Sequence, residues 1–159
     1  MAQIDFPASG LSGASRINHE LKYFINSAPA HINLENLDDS NIFKWTVNMN
    51  GIQGTMYEGE KFKLQFEFTD NYPQVSPIVK FVSGHVPVHP HIYSNGHICL
   101  EILYAGYRPE MTIVYICLCV TQMLNKNKNK VVPRGDSYYS LRRVDRNPKN
   151  TSWIYEDEY

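Results

Sequence analysis

The chain has little cysteine, little net charge and no long apolar run. Only three of its 159 residues are Cys. An odd, small count excludes a disulfide framework and fits a reducing compartment. Lys and Arg number 15 against 16 Asp and Glu, a formal net charge of −1, so nothing in the overall charge calls for nucleic acid or an acidic membrane as partner. No stretch reaches the roughly 18 apolar residues of a membrane span. The first residues, MAQIDFPASGLSGAS, have no basic segment leading into an apolar core and do not read as a secretory signal. A cytoplasmic or nuclear protein, or one of both compartments, is the expectation, with neither nucleic acid nor membrane as partner.

What is present points to one domain, since this length buries roughly two-thirds of its unfolded surface without covalent staples. Residues 1–14 are rich in Gly, Ser and Ala without period and read as a tail. Ile17, Leu21, Phe24 and Ile25 follow at helical spacing, with Ser15 as N-cap and Pro29 as the stop. Strand alternation comes next: Phe43, Trp45, Val47 and Met49, then, after the Asn50-Gly51 turn signal, Phe62, Leu64, Phe66 and Phe68. Ile78–Val82 is a further short strand, and a weaker one lies near Ile32–Leu37. Residues 83–110 carry three Pro and three Gly with no sustained period, and so long a loop inside a compact domain is often functional. Met111–Leu124 is apolar nearly all round and reads as a buried helix. Residues 126–149 hold eight basic residues against Asp136 and Asp145, ahead of the acidic Glu156-Asp157-Glu158. A solvated helix and tail face is the first reading of that basic segment. The order of elements is that of an α+β domain with segregated layers, divided as 1–14 tail, 15–130 core and 131–159 a C-terminal extension of the same domain.

Chemistry concentrates in His85-Val86-Pro87-Val88-His89-Pro90-His91-Ile92-Tyr93-Ser94-Asn95-Gly96-His97-Ile98-Cys99-Leu100, which holds four of the six His residues and one of the three Cys. His89, His91, His97 and Cys99 are legal zinc ligands, but the paired spacing of a structural site is missing. A cysteine hydrolase dyad needs a base and an orienting group, and no nucleophile signature surrounds Cys99. A thiol that accepts and passes on an acyl group is the third reading, and a packed Cys among satisfied His residues the fourth. Spacing alone does not choose. Cys117 and Cys119 sit on the apolar helix and read as small core hydrophobes.

From Ser15 to Leu124 the chain resembles the ubiquitin-conjugating enzymes, and their W-type subgroup most of all. The resemblance rests on Tyr57-Glu58-Gly59-Glu60, Tyr72-Pro73 with Pro77, His89-Pro90-His91, Asn95-Gly96-His97-Ile98-Cys99-Leu100 and Ile102-Leu103, and on Asn147-Pro148-Lys149 through Trp153 and Tyr155. It implies the ubiquitin-conjugating fold: an N-terminal helix, a four-stranded antiparallel meander, a long active-site loop and C-terminal helices. It implies that Cys99 takes ubiquitin as a thioester from an activating enzyme and passes it to an amine of a protein substrate. His89, Pro90, Asn95, Gly96 and Leu100 then shape the loop, and His91, standing where most of the family has Asn, supports the oxyanion or braces the loop. No cofactor is bound, because ATP is consumed upstream by the activating enzyme.

W-type enzymes are associated with protein N-terminal α-amines, of which roughly 10–25% are unprotonated near neutral pH against about 0.1% of lysines. Asp136 is the nearest candidate for the family's acidic gate, positioning or deprotonating the amine. The ligase-contact residues expected are Arg16, His19, Gln74, Arg108, Pro109 and Glu110. Gln74 replaces a Phe common in the family and Tyr107-Arg108-Pro109-Glu110 replaces its usual Trp-Ser-Pro-Ala loop, so binding to RING or U-box ligases is expected to be weak or specialised. Two rival functions remain: a ubiquitin-binding adaptor of the same fold, and a conjugating enzyme for another ubiquitin-like modifier.

Overall fold

The computed structural model describes residues 12–35, 37, 40–143 and 147–155. Most of the N-terminal tail expected over 1–14 and the acidic Glu156-Asp157-Glu158 lie outside the described residues. Helix α1 spans Gly13–Ser27, starting two residues before the expected Ser15 cap; Ser12 stands at the N-cap and makes no side-chain cap bond there. Strands β1 (Ile32–Leu34), β2 (Lys44–Asn50), β3 (Lys61–Glu67) and β4 (Ile78–Phe81) form one antiparallel sheet in the order β1-β2-β3-β4. The register pairs Trp45 with Phe66, Val47 with Leu64 and Met49 with Phe62, and then Leu64 with Phe81. Alternation puts all of these side chains on one face, where they are buried. Each contributes about 1.5–3 kcal/mol by leaving water. Edge-to-face contacts extend the core from Phe24 through Trp45 to Phe68 and Tyr72, with centroids 6.1, 5.3 and 4.7 Å apart.

The Asn50-Gly51 turn has a steric reason. A Cβ on Gly51 would lie 1.6 Å from the Tyr57 carbonyl oxygen, so only glycine lets that backbone pass. Tyr57 in turn donates its hydroxyl to the Val88 carbonyl at 2.6 Å and accepts from Asn127 Nδ2 at 2.7 Å, joining the start of the long loop to the end of the next helix.

Helix α2 (Ile113–Lys126) is capped by Thr112, whose Oγ1 accepts from the Tyr115 N–H at 3.0 Å. It buries Ile113, Ile116, Cys117, Val120, Met123 and Leu124 but exposes Tyr115 and Leu118, so it is less uniformly enclosed than its composition suggests. Glu20 of α1 accepts the Ile113 N–H through Oε2 and the Arg16 Nε–H through Oε1, at 3.2 and 3.0 Å. Its negative charge thus sits at the positive end of α2, paired with a buried guanidinium that also donates to the Met111 carbonyl. Burial outweighs these partners and raises the Glu20 pKa. The arrangement corrects the expectation that Arg16 faces a ligase: it is 1% exposed and committed to the interior.

After α2 the basic side chains Lys126, Lys128, Lys130, Arg134 and Arg142 are exposed, as expected of a solvated face. Helix α3 (Asp136–Arg143) packs Asp136 and Tyr139 toward the long loop and leaves Tyr138, Leu141 and Arg142 outside. No helix among the described residues is long and apolar enough to cross a membrane.

Candidate active site around Cys99

The loop between β4 and α2 is irregular but heavily bonded. Gly96 carries φ +93°, and a Cβ there would meet the Phe81 carbonyl oxygen at 2.1 Å, so the turn is pressed against the end of β4 by a residue only glycine can replace. Phe81 N–H donates to the Gly96 carbonyl at 2.9 Å, Gly96 N–H to Tyr93 at 2.8 Å, and His97 N–H to Asn95 Oδ1 at 3.1 Å. Asn95 and Gly96 therefore form the turn that leads into Cys99. Tyr104 Oη donates to the Ile98 carbonyl at 2.6 Å, and Leu100 opens a 3-10 helix over Glu101–Leu103.

Cys99 N–H donates to the His91 carbonyl at 2.8 Å, which fixes the histidine segment against the cysteine segment. His89 is fully buried; its Nδ1 accepts the His91 N–H at 2.9 Å while its Nε2 faces the Met123 carbonyl at 3.2 Å. A carbonyl partner requires the proton on Nε2, so the ring is held neutral in one tautomer. Burial first, and then neighbouring His91, lower its pKa to about 4. His89 thus braces the loop as a neutral ring and does not take up a second proton at neutral pH.

Cys99 is half-buried and lines a cavity of about 360 Å³ with Pro90, His91, Tyr93, Tyr139 and Trp153 among its other walls. Cys117 is enclosed, with its thiol pKa pushed up by burial, and Cys119 is shifted the same way. Cys119 is half-buried, not the enclosed core residue expected, but of the three thiols Cys99 is the one that lines this cavity. Its Sγ lies 3.4 Å from the Ile154 carbonyl oxygen.

Asp136 does not line that cavity. Its Oδ1 accepts the Ser94 N–H at 2.8 Å and the Ser140 hydroxyl at 3.1 Å, and its Oδ2 accepts the Ser94 hydroxyl at 2.7 Å. It ties the Cys99 loop to the first turn of α3. Asn95 Nδ2 adds a bond to the Arg143 carbonyl at the far end of that helix. Of the other expected contact residues, His19, Gln74, Arg108 and Glu110 are exposed and Pro109 half-buried, with Tyr107 Oη donating to the Pro73 carbonyl at 2.7 Å across the face they share. No group of three or more His, Cys, Asp or Glu among the described residues is arranged to hold a metal. The cavity walls that sequence reading passed over are Tyr139, Thr151, Ser152, Trp153 and Ile154. The aromatic density of the C-terminal segment was the available signal, since Tyr139, Trp153 and Tyr155 are crowded into an otherwise polar stretch.

The family model described as "Ubiquitin-conjugating enzyme" matches residues 16–154. The chain is 43% identical over 144 residues to the probable ubiquitin-conjugating enzyme E2 W-A of Danio rerio, covering 90% of this chain and 95% of that one. It is 41% identical over 145 residues to the probable ubiquitin-conjugating enzyme E2 W of Dictyostelium discoideum, covering 91% and 95%. Among solved structures, the ubiquitin conjugating enzyme E2 UbcA1 from Agrocybe aegerita superposes with a TM-score of 0.79 at 37% identity, over 86% of this chain and 98% of that one.

Proposed function

Because the chain belongs to the ubiquitin-conjugating enzyme family and is most similar to its E2 W members, we propose that Cys99 is its thioester-forming nucleophile and a protein N-terminal α-amine its preferred acceptor. A ubiquitin-conjugating enzyme is a transferase that works through a cysteine thioester, and its partners are ubiquitin, an activating enzyme and a ligase. The observation that carries the assignment is the placement of Cys99: it is half-buried in the wall of a cavity, at the end of a loop braced on both sides, whereas Cys117 is buried and the half-buried Cys119 lies on α2 outside that cavity.

In the first step Cys99 Sγ attacks the carbonyl carbon of the ubiquitin C-terminal glycine carried by the activating enzyme, and that enzyme's thiolate departs. In the second, the acceptor amine attacks the same carbon, the C–S bond breaks, and the amine proton ends on sulfur or in water. A thiolate leaves readily, so alignment and support of the oxyanion suffice and no strong base is required. His91 lines the cavity and is tied to Cys99 through its own carbonyl, which supports a role at the oxyanion. Asp136 acts by holding Ser94 and thereby the turn that presents Cys99. An enzyme without a strong base favours the amine that is already deprotonated, which is the α-amine. RING or U-box ligases are the proposed class of ligase, engaged through the exposed Gln74, Arg108 and Glu110.

The test is loading with ATP, activating enzyme and ubiquitin, followed by discharge onto two peptides, one with an open N-terminus and no lysine, the other N-acetylated with one lysine. A thiol-sensitive adduct absent in Cys99→Ala, discharging faster onto the open N-terminus, is expected. No adduct under conditions that charge a related enzyme would favour the adaptor, and loading by a different modifier only would redirect the specificity.

A further inference from the structure

The described part of the C-terminal segment, Asn147–Tyr155, crosses the mouth of the Cys99 cavity as an extended strap. It is held at three places. Lys149 Nζ donates to the Ser76 carbonyl just ahead of β4, and Asn147 caps the 3-10 helix over Pro148–Asn150. Trp153 stacks on Tyr104 with centroids 5.3 Å apart and lies 5.9 Å from both Tyr93 and Tyr139. Between these, the Tyr139 hydroxyl bridges the strap to the active-site loop: it lies 2.7 Å from His97 Nδ1 and 2.9 Å from Thr151 Oγ1. The consequence is at Ile154, whose side chain is 81% exposed while its carbonyl accepts the Cys99 thiol. At this residue the strap points its side chain to water and its backbone at the thiol, so Ile154 is placed by its neighbours in the strap and by Cys99, not by burial of its own side chain.

We propose that Tyr139 is a positioning residue whose hydroxyl latches the 147–155 strap over the Cys99 thiol in the uncharged enzyme, and that the strap lifts when the thioester forms. This rests on the reading of Cys99 as nucleophile. The chemistry of the contact sets its dependence on charging. Sγ–H donates to the Ile154 carbonyl, and transthiolation removes that proton and puts an acyl carbon on sulfur. Two electron-rich atoms then face each other with no hydrogen between them, and the glycine tail needs the volume the strap occupies. The strap therefore shields the thiol before loading and moves aside as the thioester forms.

Two substitutions break the latch from opposite sides. Tyr139→Phe keeps the ring, which lies 4.0 Å from Tyr93, and removes the hydroxyl; Thr151→Val removes the strap's partner and leaves the Tyr139–His97 bond in place. In the full chain, both are expected to raise the rate of Cys99 alkylation by iodoacetamide three- to tenfold, read by peptide mapping with Cys117 and Cys119 as internal references. Both are also expected to red-shift the emission of Trp153, with Trp153→Phe assigning that signal apart from Trp45. Amide exchange over 147–155 should rise in wild-type protein once Cys99 is alkylated. Unchanged alkylation and emission in both variants, at unchanged melting temperature, would overturn the latch. The two claims separate cleanly: alkylation that responds to the variants in a protein that never loads ubiquitin keeps the strap and removes the conjugating role, and loading without any alkylation response does the reverse.

Discussion

At the scale of single residues, two histidines of the Cys99 loop have been given different work by their partners. His89 and His91 are two positions apart, yet the first is enclosed with both ring nitrogens committed, and the second lines the cavity. The lowered pKa of His89 has a stability consequence. An unfolded His titrates near 6.5, so between that value and about 4 the unfolded chain binds a proton the folded one refuses. Stability from this group is full above pH 6.5 and is lost as pH falls toward 4, by up to about 3 kcal/mol. His89→Gln, compared with wild type in urea melts at pH 7.5 and 5, should show a smaller fall in unfolding free energy across that interval. The comparison with wild type matters because Glu20, raised by burial, contributes in the opposite sense over part of the same range. Gly96 is the second residue-scale test. Gly96→Ala sets a Cβ against the Phe81 carbonyl in a conformation that costs a non-glycine residue about 1–2 kcal/mol before the clash is counted. We expect a drop of several degrees in melting temperature and slowed loading of Cys99, since the turn leading to it must shift.

At the scale of elements, the question is why α3 matters to a loop more than forty residues earlier. Asp136 opens that helix and its carboxylate accepts from Ser94 and Ser140. If the carboxylate served as a base in the transfer step, Asp136→Ala and Ser94→Ala would differ sharply; if it acts through the loop, they converge. We expect convergence: each single change should slow discharge by a similar factor, the double variant should add little, and the pH–rate profile should keep its shape. Unfolding measurements on the same set should show each single change costing about 1–3 kcal/mol with strong coupling between them. This pairing explains how much could be read from the chain beforehand. The strands β2 and β3 announce themselves because their buried residues alternate within the strand, and α2 because its buried positions recur within a few turns. The motif around Cys99 was legible for the same reason, as a local string. The contacts of Tyr139 with His97 and of Cys99 with Ile154 span 42 and 55 positions and follow no period. Nor does charge reveal that Arg16 lies inside, because its partner Glu20 reads equally well as a surface pair at i, i+4. Only the placement of Ile113 N–H above that carboxylate distinguishes the two.

At the scale of the whole molecule, the proposed function uses two regions in turn, Cys99 with its strap and the loops around Gln74 and Arg108. Those loops are joined by the Tyr107–Pro73 bond and form the surface proposed above for the ligase. What it lacks is an apolar centre. Gln74 is exposed beside the 42% exposed Val75, Pro73 is buried, and the other exposed contact residues expected there are the polar His19, Arg108 and Glu110. Interfaces gain most from a large anchor at their middle, and a rim of opposite charges adds rate and specificity more than affinity. Gln74→Phe should therefore change ligase dependence and nothing else. Because the position is exposed, the melting temperature should hold; because it does not line the Cys99 cavity, charging and unstimulated discharge should hold as well. Discharge stimulated by a RING-type ligase should saturate at a ligase concentration about five- to tenfold lower, equivalent to roughly 1 kcal/mol of interface free energy. Titration of the ligase against single-turnover discharge for both forms reads this directly. A shift of that size would assign the weak anchor to position 74, whereas coincident titration curves would mean that this platform meets its ligase through Arg108 and Glu110 with the polar Gln74 already matched.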